Sequence, residues 1–188
     1  MINTSDLTIA GLSVIVYKNR GDMKNIILAG FMGTGKSVAG KLLAKKLNRD
    51  FLELDDMIEA REGASIKDIF EKKGEPYFRQ AEKEIVKEAS RRRDVVISAG
   101  GGAIMDEENF RNLKKGGIII CLKASPETIL KRTKDLKTRP LLNVPDPKKK
   151  VEELLKNREP YYNKADFSVK TDDLSVDEVV IKIMAFIV

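Results

Sequence analysis

Eight consecutive residues constrain this chain more than any others. Gly30-Phe31-Met32-Gly33-Thr34-Gly35-Lys36-Ser37 fits G-x-x-x-x-G-K-[ST], the Walker A spacing. It follows a continuous apolar run, Asn25-Ile26-Ile27-Leu28-Ala29, of the kind that forms a strand buried on both faces of a parallel sheet. Behind it, residues 37–47 have a helical pattern, with Val38, Leu42 and Leu47 among the apolar positions. Strand, glycine-rich turn and helix in that order make a cradle for a polyphosphate. Small residues let backbone amides point inward, and the helix offers its positive N-terminus. In such a cradle Gly33, Thr34 and Gly35 wrap the phosphates, Lys36 neutralises the β- and γ-phosphates, and the Ser37 hydroxyl ligates Mg²⁺. The expected ligand is a nucleoside triphosphate.

The rest of the chain alternates in the same way. Phe51-Leu52-Glu53-Leu54-Asp55, Val95-Val96-Ile97-Ser98, Ile118-Ile119-Ile120-Cys121-Leu122 and Phe167-Ser168-Val169-Lys170 read as further strands. Helices are expected after a capping box at 65–68 and from Pro76, behind which Phe78, Ala81, Ile85 and Ala89 recur at helical spacing. Others are expected over 106–115, stopped by Gly116, after Ser125-Pro126, over 148–158, and from Ser175 with Glu178 as its box partner. Residues 134–147 carry three prolines and several charges and read as a mobile loop. The alternation predicts one α/β domain, a parallel sheet sandwiched by helices. Residues 1–22 stand apart, with a candidate strand at 13–18 and a turn at 19–22 before Met23 opens a second beginning. They are expected to be an accessory extension of a domain spanning 23–188.

Composition narrows the chemistry. At 188 residues the chain can bury a core without staples. It has no histidine, which removes imidazole bases and His-containing metal sites. Its single cysteine, Cys121, falls in an apolar strand and can form neither an internal disulfide nor a thiolate cluster. No apolar run reaches the ~18 residues that span a bilayer, and no secretory signal opens the chain. A cytoplasmic protein without a membrane partner is expected. The formal charge of +6 gathers in Arg91-Arg92-Arg93 and Lys148-Lys149-Lys150, which read as solvated element ends. No nucleic-acid motif accompanies them, so no nucleic-acid partner is expected.

A phosphate cradle alone fits a kinase, a switch GTPase or an ATPase motor. The strand at 95–98 ends in Ser98 and three glycines rather than in the acid of a motor. Acceptor-side candidates follow from where strands end, because ligands bind beyond the carboxyl ends of parallel strands. Asp55, placed at such an end, can orient an attacking hydroxyl and take its proton. Glu53 lies two residues before it, on the same strand face. Gly100, Gly101 and Gly102 expose backbone amides on the same edge. Arg79, Arg139 and Arg158 are candidate forks for carboxylates or phosphates. A related kinase acting on gluconate or a nucleoside monophosphate, and a nucleotide-binding module without turnover, stay open on these residues alone.

Taken together, the motifs resemble those of the shikimate kinase family, from Met23 to the C-terminus. The resemblance rests on the Walker A loop, Leu54-Asp55, Gly74-Glu75-Pro76-Tyr77-Phe78-Arg79, Ser98-Ala99-Gly100-Gly101-Gly102-Ala103, Thr138-Arg139-Pro140-Leu141-Leu142 and Arg158-Glu159-Pro160-Tyr161-Tyr162. It implies the three-layer α/β/α P-loop kinase fold of the nucleoside monophosphate kinase group, with a five-stranded parallel sheet. It also implies a monomer that uses ATP and Mg²⁺ to phosphorylate the 3-hydroxyl of shikimate. By resemblance, Asp55 binds the acceptor hydroxyl, Arg79 and Arg158 clamp the carboxylate, and Gly100, Gly101 and Gly102 line the substrate, Gly101 offering its amide. Arg139 reaches the phosphates from a lid over 134–147, and the nucleotide contacts extend to Val38 and Arg132. The sequence departs from the family at Glu53, where an aspartate commonly holds Mg²⁺ through water. The segment 171–175 also lacks an arginine that some members carry.

Overall fold

The computed structural model of the chain describes residues 4–9, 12–17, 24–133, 142 and 144–187. Five parallel strands form the sheet: β3 (Asn25–Gly30), β4 (Asp50–Glu53), β5 (Val95–Ser98), β6 (Gly117–Lys123) and β7 (Phe167–Lys170). Their order is β4-β5-β3-β6-β7, so the chain leaves β3 toward one edge and later returns to fill the other. The crevice where the connections diverge lies beyond the carboxyl end of β3, where a doubly wound sheet takes its ligands. The phosphate loop occupies that position.

Alternation along the strands builds two cores. Ile26 and Leu28 of β3 join Val96, Ile120 and Leu122 on one face, covered by α1 (Lys36–Leu47) and α7 (Val176–Ile187) through Leu43, Val180 and Ile183. Ile27 and Ala29 face the other way with Ile97, Ile119 and Cys121. That side is covered by α2 (Leu54–Glu62), α3 (Ile66–Ala89), α4 (Glu107–Gly116), α5 (Pro126–Arg132) and α6 (Pro147–Tyr162), which contribute Ile58, Ile85, Leu113, Ile129 and Val151. Every residue of β3 is buried, which explains an apolar run that does not alternate with polar positions. Burial also pushes the Cys121 thiol up to about 11, as expected of an inert core residue.

Local signals place the element ends. Ser65, Ser125 and Asp146 cap α3, α5 and α6 by accepting from backbone amides three residues on. Ser175 and Glu178 exchange the bonds of a capping box ahead of α7. At Gly74, with φ 81° and ψ 169°, α3 breaks, so Pro76 begins its second part without having to replace a helical N–H.

Several boundaries depart from expectation. The second strand stops at Glu53, and Leu54 begins α2, so Asp55 sits in a first helical turn rather than on a strand face shared with Glu53. Leu54 is buried in the core, and that packing decides the switch. Helix α4 runs through Gly116, and β6 starts directly at Gly117. Helix α6 runs past Pro160 to Tyr162, held by the buried Tyr162 ring. At the N-terminus two strands, β1 (Thr4–Ile9) and β2 (Leu12–Tyr17), pair antiparallel, the first of them unread in the sequence. The turn expected at 19–22 and most of the expected lid, Arg139 included, lie outside the described residues. Of the lid motif, Leu142 is fully buried in the core that also holds Val151.

Candidate active site

The phosphate loop joins β3 to α1 with Gly35 as the N-terminal cap, and no side chain occupies the end of the helix. The amides there stay available to an anion. At Gly30 the backbone takes φ +134°, and a Cβ would lie 2.2 Å from Leu122 O, so only glycine permits this close approach to β6. Thr34 is buried, and its hydroxyl donates to Phe31 O at 2.7 Å, locking the loop from within. Its contribution to a phosphate is therefore through the backbone. Lys36 Nζ donates to the same carbonyl at 3.1 Å. Ser37 and Val38 are exposed at the mouth, Val38 by 59%.

Glu53, at the end of β4, lies beside the hydroxyls of Ser37 and Ser98, and both its Oε2 and Ser98 Oγ are buried without a hydrogen-bond partner. Burial raises its pKa and Asp55 adds to the rise, against the two hydroxyls and Lys36. An orphaned carboxylate oxygen beside the Ser37 hydroxyl is the donor set expected of a hard cation that keeps much of its water. Among the described residues no group of three or more acids or cysteines could hold a metal ion alone. The remaining ligands of such an ion would have to come from phosphate and water.

Across the cleft the acceptor-side residues converge. The glycines at 100–102 follow the β5 strand and are walled in by charged side chains. A Cβ would lie 2.9 Å from Asp55 Oδ1 at Gly100, 3.1 Å from Arg158 Nη1 at Gly101, and 3.0 Å from Arg79 Nη1 at Gly102. Arg79 donates through Nη1 to Glu82 Oε2 and through Nη2 to Glu75 Oε1, each at 2.9 Å. Burial works against the Arg79 charge, but the two glutamates more than offset it and raise its pKa. Glu82 is pushed up, by burial first and by Asp55 and Asp106 in addition, with Arg79 opposing. Arg158, only 5% exposed, donates through Nη1 to Gly101 O at 3.1 Å, and the Tyr162 hydroxyl donates to the same oxygen at 2.8 Å. Burial pushes the Tyr162 phenol up to about 12, so it remains a donor at any working pH.

On the far side of the loop, Arg132 donates to Thr171 Oγ1 at 2.8 Å and to Thr171 O at 2.6 Å. Thr171 in turn donates to Thr34 O at 3.2 Å, which ties α5 and the end of β7 to the cradle. The Ser125 hydroxyl and amide hold Asp172 at about 2, fixing the adjoining turn. One cleft of about 1080 Å³ takes in the phosphate loop, Glu53, Asp55, Arg79, the three glycines, Arg132 and Arg158. Glu82, Phe31 and Tyr162 were not singled out in the sequence as site residues. Only Glu82 carried a signal there, an acid among the buried positions Phe78, Ala81 and Ile85.

A phosphate loop facing a carboxylate and two arginines across one cleft, on a five-stranded parallel sheet, defines a P-loop kinase of small molecules. The family model described as Shikimate kinase matches residues 32–188, and the chain belongs to that family. The shikimate kinase of Thermodesulfovibrio yellowstonii is 48% identical over 162 residues, covering 86% of this chain and 94% of its own. That of Caldanaerobacter subterraneus is 48% identical over 157 residues, covering 84% and 92%. Among solved structures, shikimate kinase from Acinetobacter baumannii in complex with shikimate superposes with a TM-score of 0.85 at 40% identity, over 88% of this chain and 93% of that one.

Proposed function

We propose that shikimate lies with its carboxylate between Arg79 and Arg158 and its 3-hydroxyl at Asp55, opposite the phosphate loop. The protein catalyses ATP-dependent phosphorylation of shikimate, giving shikimate 3-phosphate and ADP in aromatic amino-acid biosynthesis. The observation that carries the substrate placement is the ring of side chains around the glycines at 100–102: Asp55, Glu82, Arg79 and Arg158 all approach them within one cleft. Arg79 comes oriented by Glu75 and Glu82, so a bound carboxylate meets a fixed fork rather than a mobile chain.

Phosphoryl transfer asks mainly for positioning and for charge stabilisation. Asp55 accepts the hydrogen bond of the acceptor hydroxyl and receives its proton as the new P–O bond forms. Lys36 exchanges the carbonyl of Phe31 for the β- and γ-phosphate oxygens, and the amides at Gly33, Gly35 and the head of α1 hold the rest of the chain of phosphates. Val38 and Arg132 border the nucleoside end. Arg139, outside the described residues, is assigned to the transferring group. Ser37 and Glu53 would hold Mg²⁺, which when bound neutralises phosphate charge. Residues 23–188 carry the activity as a monomer in the cytoplasm, with 1–22 accessory. Among the described residues no helix is long and apolar enough to cross a membrane.

The carboxylate placement is tested by Arg158→Ala. Loss of one partner of a buried charge pair costs about 2–5 kcal/mol, so shikimate affinity falls by at least roughly thirtyfold. Parental affinity in this variant would remove Arg158 from the clamp.

A further inference from the structure

Phe31, the second residue of the phosphate loop, is fully buried. A phosphate cradle works through backbone amides and has no use for an aromatic ring at that position. The ring instead packs in the core beneath Arg158, with its centroid 5.0 Å from Arg158 Cζ. A guanidinium withdrawn from water needs both compensation and a defined orientation. Gly101 O gives Arg158 one hydrogen bond at 3.1 Å, and its buried Nε has no partner. The Tyr162 hydroxyl also lies against Arg158, and the ring face adds a further support, its quadrupole attracting the cation most strongly where solvent is excluded. The turn at Gly101 completes the stack: a Cβ there would lie 3.1 Å from Arg158 Nη1 and 3.6 Å from Met32 N, wedged between the guanidinium and the loop backbone.

We propose that Phe31 is the positioning residue for Arg158, setting the plane of the guanidinium and so the seat of the shikimate carboxylate relative to the phosphate loop. The inference rests on reading Arg158 as part of the carboxylate clamp. Through its carbonyl, Phe31 accepts from Lys36 Nζ and from Thr34 Oγ1. Its backbone thus touches the cation meant for the phosphates, while its ring touches the cation meant for the acceptor. Residue 31 thereby links the proposed seats of the two substrates from the core behind the cleft. An aliphatic side chain keeps the backbone contacts and the burial but removes the face on which the guanidinium rests.

The test is a double-mutant cycle between residues 31 and 158, with KM for shikimate and for ATP measured separately. Phe31→Met keeps the volume and Phe31→Leu reduces it; Phe31→Tyr keeps the ring, which borders a second cavity of about 180 Å³. Phe31→Met and Phe31→Leu are expected to raise the shikimate KM roughly tenfold, well beyond any change in the ATP KM. Phe31→Tyr stays near the parent. In an Arg158→Lys background, Phe31→Met adds no further rise. A parallel rise of both KM values, or the full factor persisting beside Arg158→Lys, overturns the proposal. A raised shikimate KM in Arg158→Lys with an unmoved one in Phe31→Met defeats it while sparing the clamp. An unchanged shikimate KM in Arg158→Lys alone defeats the clamp reading, and the inference with it.

Discussion

Glu53 is a single side chain whose burial works against stability. Its carboxylate is drawn out of water at the end of β4, with one oxygen unpaired and Asp55 nearby, and its pKa is raised. A carboxyl whose folded pKa lies above its unfolded value favours the native state below the unfolded pKa and loses that contribution as pH rises through the folded one. At neutral pH the ionised Glu53 therefore destabilises the fold. Glu53→Gln is expected to raise Tm by roughly 2–4 °C at pH 7, and the gain should vanish near pH 4, where the parent carboxyl is itself protonated. The same change should raise the Mg²⁺ needed for half-maximal rate by about tenfold or more. A lower Tm at pH 7 would mean that the Ser37 and Ser98 hydroxyls compensate the charge fully. Arg79 has the opposite character: Glu75 and Glu82 more than offset its burial, so the fork stays charged and aimed before substrate arrives.

Among the elements, α3 is the one whose geometry is least ordinary. Gly74 interrupts it in a region of φ/ψ space open essentially to glycine, and the break redirects the second half so that Arg79 and Glu82 face the cleft. A Cβ at Gly74 would meet only Pro76 Cδ at 3.7 Å, so the cost of Gly74→Ala is backbone strain rather than a clash. Chemical denaturation should show a loss of about 1–3 kcal/mol, and shikimate KM should rise as Arg79 is displaced. An unaltered midpoint would show that α3 tolerates a regular helical turn there. Strands and caps were legible in the sequence because each is written locally: β3 in its unbroken apolar run, α7 in Ser175 and Glu178. Asp55 sits in a helix although the local sequence continues the strand pattern, because the change from β4 to α2 is decided by where Leu54 packs, a tertiary event with no local signal. Pro160 hid the last turn of α6, which survives through the bond from Tyr162 to Gly101. Glu82 and Phe31 gained their roles only when α3, α6 and the loop came together around the glycines.

For the whole molecule, the site is assembled at the crevice beyond β3 by elements from nearly the full length of the described sheet domain, while the β1–β2 pair stands outside the matched family region of 32–188. A chain beginning at Met23 is expected to keep kcat/KM for both substrates within about twofold, as read in a coupled assay; a larger loss would make the N-terminal pair part of the working enzyme. On the proposed reading of Arg79 and Arg158 as a carboxylate clamp, acceptor identity should govern turnover, and a neutral sugar should be rejected. The most direct measurement is ADP release by the purified protein with MgATP, alone and with shikimate, gluconate, quinate or a nucleoside monophosphate. The account predicts strong stimulation by shikimate and little by the others. ATP binding without shikimate-dependent ADP release would leave the phosphate cradle standing and contradict the acceptor site.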